Sequence, residues 1–126
     1  MRGIGVAYDL PKAFQLCQTG AHNGTAKSMN IMARFYEEGW VVEKQPDTAL
    51  EWYRRSAESG DYRGCHNYAT ILAEKGQITA ALGWWQKALP EATPDILSAM
   101  SRTLATLEHP EAQVLLLAAK ERLRDV

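Results

Sequence analysis

A repeat of 36 residues constrains this chain more than any other feature. Shifted by that amount, Gly3 falls on Gly39, Val6 on Val42, Ala13 on Ala49, Ala21 on Ala57 and Gly24 on Gly60. The same shift carries Ala33 onto Ala69. A shift of 32 then carries Ala49 onto Ala81, Leu50 onto Leu82, Trp52 onto Trp84 and Tyr53 onto Trp85. The lost residues fall in a loop, where V-V-E-K-Q-P-D gives way to a tight turn at Gly76. A period of this length with its apolar register kept marks a repeat array, in which each unit buries its apolar face only by stacking on the next.

The unit is clearest at Asp47–Gly60, D-T-A-L-E-W-Y-R-R-S-A-E-S-G. Ala49, Trp52, Tyr53 and Ala57 recur at helical spacing and share one face, while Glu51, Arg54, Arg55 and Glu58 lie elsewhere. Pro46 and Asp47 suit a helix start and Gly60 a helix stop. Alanine beside an aromatic lets a neighbouring helix approach while the ring fills the groove next to it.

The stretch Y-E-E-G-W-V-V at Tyr36–Val42, followed by A-L-E-W-Y-R-R-S-A-E-S-G at Ala49–Gly60, resembles the Sel-one-like repeat (SLR) family of the tetratricopeptide-like superfamily. So does G-I-G-V-A-Y-D-L-P-K-A at Gly3–Ala13. Val41 stands where the family pattern has glycine, and Thr48 where it has lysine. The copy at Gly76–Leu89 is nearer the tetratricopeptide form. The resemblance covers Gly3 to about Leu89. It implies an all-α, right-handed solenoid of stacked antiparallel helix hairpins, and a binding role without catalysis.

Helices are expected at about Leu10–Gly20, Thr25–Glu38, Asp47–Gly60, Asp61–Lys75, Ile78–Leu89, Asp95–Leu107 and Glu111–Arg124, about seven in all. The chain reads as one domain: a partial first repeat over 1–24 lacking its inner helix, repeats over 25–60 and 61–92, and a degenerate capping repeat over 93–126. The family pattern places an inner helix before Gly3, where this sequence has only Met1 and Arg2. Met1 is therefore expected to be an internal methionine of a longer array. The first outer helix is expected to leave Leu10, Ala13, Phe14, Leu16 and Cys17 partly bare, and a homodimer through Leu10, Phe14 and Cys17 is the alternative cover.

The formal charge of −1 does not suit a protein whose main work is gripping nucleic-acid backbone. No run of 18 apolar residues is present, so no membrane span is expected. As written the chain reads as cytoplasmic; a start further upstream would allow a periplasmic or secreted protein. Cys17 and Cys65 have two helices between them in the expected stack, too far for a disulfide. His22, His66 and His109 lack partners at metal-ligand spacing, no phosphate-binding glycine loop or nucleophile elbow appears, and neither metal nor cofactor is expected. Trp52, Trp84 and Trp85 read as core, and Trp40, in the loop after Gly39, as an exposed candidate for binding.

Inner helices of such a stack line a concave groove. Counting from Ala33 and Ala69, the residues expected to face it are Lys27, Asn30, Arg34 and Glu37, then Arg63, His66, Thr70 and Glu74. The groove would be basic at one end and acidic at the other, suited to a peptide or a partner's helix. Three functions remain open: an interaction scaffold or adaptor that binds a protein or peptide, a toxin-neutralising protein of the immunity or effector type, and an accessory domain of a larger cell-envelope protein.

Overall fold

In the computed structural model, which describes residues 9–125, seven helices follow one another: α1 (Leu10–His22), α2 (Ala26–Glu38), α3 (Pro46–Glu58), α4 (Tyr62–Glu74), α5 (Ile78–Ala88), α6 (Pro94–Ala105) and α7 (Pro110–Arg124). No strand occurs among the described residues. Each helix through α5 packs on the one before it, α6 packs on α4 and α7, and α2 touches α4. The even-numbered helices are thus the inner row and the odd-numbered ones the outer row of an all-α solenoid, stacked in sequence order. The loop Gly3–Tyr8, read above as the start of the first repeat, lies outside the described residues, as does Met1.

Local chemistry sets the helix ends within a residue or two of those expected. Pro46 opens α3, where its missing N–H costs nothing. Gly60, at φ +90°, closes it in the left-handed region and sends its N–H to Ala57 O at 3.0 Å. Asp61 follows at once and caps α4, its carboxylate accepting from Gly64 N at 3.1 Å. Gly24, the equivalent of Gly60 one repeat earlier, has φ +89°.

The core has two parts that meet across α4. The first gathers Ala21, Met29, Met32, Ala33, Ala49, Trp52 and Tyr53; the second runs from Cys65 and Ala69 through Trp85 to Leu97, Met100, Leu104, Ala112 and Leu116. Tyr68 packs against both. Met32, Leu97, Met100 and Leu104 are each 1 % exposed or less, and burial of such side chains contributes about 2 kcal/mol apiece. At the C-terminal end Arg122 Nη1 donates to Leu89 O at 2.6 Å and Ala92 O at 2.9 Å, closing the α5–α6 loop onto α7. Cys17 and Cys65 are both free, as expected.

The ridge on α1 is partly bare: Leu10 and Leu16 are exposed, Leu16 at 66 %, and Ala13, Phe14 and Cys17 are half-buried. Phe14 and Cys17 lean on the first core beside the buried Ala21, and Phe14 meets Phe35 and Tyr36 edge-on. One expectation needs correction. Trp84 is half-buried, with Tyr68 edge-on at 5.5 Å and Lys87 Nζ over its face at 4.4 Å, whereas Trp85 is wholly buried. Adjacent residues on a helix point about 100° apart, so only one of the two rings can face the core.

Candidate functional site

The inner row presents a cleft of about 230 Å³ between α2 and α4, near their C-terminal ends. Arg34, Glu37 and Glu38 come from α2, and Asn67, Thr70, Ile71 and Glu74 from α4. Tyr53, from outer helix α3, reaches through to its floor. Four of the eight residues expected in the groove therefore converge here: Arg34, Glu37, Thr70 and Glu74. Lys27 and Arg63 are each the second residue of their helix. Lys27 stands two helical turns, about 10 Å, before Arg34, and Arg63 one turn, about 6 Å, before Asn67, so both lie outside the cleft. Lys27 is exposed, and the Arg63 guanidinium lies 4.7 Å from the Tyr62 ring centre.

Asn30 and His66 are equivalent under the 36-residue shift and both are buried, at 9 % and 8 % exposure. Each has a partner that explains this. Asn67 Nδ2 donates to Asn30 Oδ1 at 2.9 Å, a bond that joins α2 to α4 at the floor of the groove. Trp85 Nε1 donates to His66 Nδ1 at 3.0 Å. Burial holds the His66 imidazole below its usual pKa, with the Asp95 carboxylate pulling weakly the other way. His66 is thus a neutral acceptor for the tryptophan and a structural member of the wall.

Tyr53 occupies the slot equivalent to Trp85, and it uses its polar tip in the same manner. Its hydroxyl donates to Glu37 Oε1 at 2.8 Å. Burial first, and then the neighbouring Glu37 carboxylate, push the phenol well above its usual pKa, so it stays a donor throughout the physiological range. In both repeats the buried aromatic of the outer helix pins a polar residue of the inner helix, Glu37 in one and His66 in the other. Tyr53 was read from sequence only as part of the packing face, and Asn67 and Ile71 carried no signal that singled them out.

The Arg34 guanidinium rests 5.5 Å from the centre of Trp40, whose ring packs edge-on to Phe35 and is 39 % exposed. Val41 beside it has φ +66°, and Val42 N donates to Trp40 O at 2.6 Å. The ion pairs among the described residues are Arg54 with Glu51 and Glu58, and Arg124 with Glu121. The charged groups lining the cleft take part in none of them. Among the described residues no three His, Cys, Asp or Glu side chains gather as a metal site would require, and no helix is long and apolar enough to cross a membrane.

A model of the Sel1 repeat matches residues 1–25, 26–61 and 65–89. The chain belongs to the Sel1 repeat family. Two solved structures share its fold. A Sel1 repeat protein from Oxalobacter formigenes superposes with a TM-score of 0.70 at 24 % identity, over 95 % of this chain and 53 % of that one. A protective antigen of uropathogenic Escherichia coli that displays an SLR fold superposes with a TM-score of 0.78 at 25 % identity, over 98 % of this chain and 27 % of that one. The chain thus spans about half of the first and about a quarter of the second. Sel1 repeat proteins serve generally as protein-interaction scaffolds, and the fold is typically non-catalytic.

Proposed function

We propose that this Sel1 repeat chain acts as an adaptor without catalysis, and that it holds a peptide or protein segment in the cleft between α2 and α4. The observation that carries this reading is the set of unpaired charges there. Arg34, Glu37, Glu38 and Glu74 line one concavity, and among the described residues none has an oppositely charged side chain within ion-pair distance. Charges held on helices and left without an opposite charge beside them favour an incoming segment that supplies one. Lys27 and Arg63 extend the surface toward the other end of the inner row, so a segment lying along the helices meets acidic groups first and basic groups about 15 Å on.

The test is a partner identified by mass spectrometry after pull-down, then purified and titrated against variants. Thr70→Arg fills the cleft from its half-buried wall and should abolish binding with no loss of melting temperature. Lys120→Glu, on exposed α7, is the control and should bind as the parent does. Equal binding by parent and Thr70→Arg would move the partner off this face.

A further inference from the structure

We infer that the α2–α4 cleft is built for a cationic side chain, arginine above lysine, presented by the bound segment. This rests on the reading above and names what that cleft selects. Donors and acceptors in the wall are unequal in number. Three neutral polar side chains line the cleft, and each uses a donor inside the wall. The Tyr53 hydroxyl donates to Glu37 Oε1, Asn67 Nδ2 donates to Asn30 Oδ1, and Thr70 Oγ1 donates to His66 O at 2.9 Å. Their oxygens are left as acceptors, and the carboxylates of Glu37, Glu38 and Glu74 add more, against one remaining N–H on the Asn67 amide. Three negative groups stand against one positive group, Arg34, and its guanidinium is drawn to the Trp40 face.

A guest that matches such a wall brings several N–H groups and a positive charge. Arginine brings five donors in a planar fork and lysine three on a point, which ranks them. Shape agrees with this. Ile71 supplies an apolar wall for an aliphatic stem, and a cleft of about 230 Å³ holds one long side chain rather than a folded element. The Tyr53 bond fixes Glu37 through Oε1 and leaves Oε2 for the guest, so one carboxylate is oriented before binding.

The experiment uses Nα-acetyl-arginine amide as the probe, titrated into the isotopically labelled full chain while amide and side-chain signals are followed by NMR. Saturable shifts are expected at Asn67 and Thr70. Nα-acetyl-norleucine amide, with a stem and no charge, and Nα-acetyl-glutamate amide should leave those signals in place. The pair Glu38→Gln with Glu74→Gln, which leaves the Tyr53–Glu37 bond intact, should weaken the arginine probe about fivefold. Equal shifts from the three probes, no shift from arginine, or an unchanged affinity in the double variant would each overturn the proposal. If the arginine probe fails while Thr70→Arg still blocks a purified partner, cation selection falls and the binding face stands. If Thr70→Arg leaves the partner bound, the face itself is wrong.

Discussion

A Cβ added to Gly64 would stand 2.7 Å from Ser56 Cβ and 2.8 Å from Ala57 N, so α3 and α4 meet where Gly64 has no side chain. One repeat earlier the two roles are exchanged. Gly20 is the equivalent of Ser56 and Ser28 of Gly64, and there a Cβ on Gly20 would lie 2.9 Å from Ser28 Cβ. The first two outer-to-inner joints thus each hold one glycine and one serine, in opposite order. Gly64→Ser is expected to cost about 1–3 kcal/mol through overpacking. Ser56→Gly with Gly64→Ser restores the order found at the first joint and should recover part of that loss. The recovery is incomplete because Ser56 Oγ also donates to Ala26 O at 2.9 Å. Chemical denaturation of both single variants and the double closes the cycle.

Ser101 should be improved by removing its hydroxyl. Its Oγ is buried with no hydrogen-bond partner. Under the shifts of 36 and 32 it occupies the slot of Ala33 and Ala69, both fully buried alanines. Ser101→Ala should stabilise the fold by about 1 kcal/mol, because an unpaired buried polar atom is lost at no cost in packing. A lower denaturation midpoint in the variant would contradict this.

Val41→Gly should also stabilise, by about 1 kcal/mol. A β-branched residue at φ +66° is strained, and glycine relieves it, less the backbone entropy that glycine adds to the unfolded chain. Thermal unfolding reads the gain. The neighbouring Trp40–Arg34 contact gives a second readout, since indole fluorescence should change if the turn relaxes.

Stability should fall in mild acid through His66. Above the ordinary imidazole value of about 6.5 the group is neutral folded and unfolded, and it adds no pH dependence. Below that value the unfolded chain takes a proton that the buried, Trp85-bonded ring refuses, because its folded pKa is lowered. Stability therefore drops as pH falls from about 6.5 toward the folded value. In His66→Gln this part of the drop between pH 7 and pH 5 should disappear, which melting curves across that range can check.

Arg122→Ala should cost about 1.5–3 kcal/mol, since it removes two charge-assisted bonds to Leu89 O and Ala92 O. Exchange of amide hydrogens should speed up mainly in α6 and α7, because stability in such a stack is a sum over neighbouring units.

The helices and their order were legible because alanine, aromatic and glycine positions recur at fixed offsets, and those residues act locally: Gly60 ends α3 wherever α3 packs. The groove was legible by half. Arg34, Glu37, Thr70 and Glu74 could be counted from Ala33 and Ala69, since position on a helix fixes direction. Asn30 and His66 could not, because their burial depends on Asn67 and Trp85, 37 and 19 residues along the chain. That Phe14 leans on Phe35 and Tyr36 was equally hidden, since a helix face alone does not say which neighbour it turns to.

The Asn30–Asn67 bond is, among the described residues, the one direct side-chain hydrogen bond between α2 and α4, at the floor of the groove. It works as a spacer pin. While it holds, α2 and α4 keep one spacing, and under the proposed function that spacing would set the girth of the side chain the cleft admits. Cutting it would let the stack flex like a bellows, and the same residues would then admit larger segments with poorer discrimination.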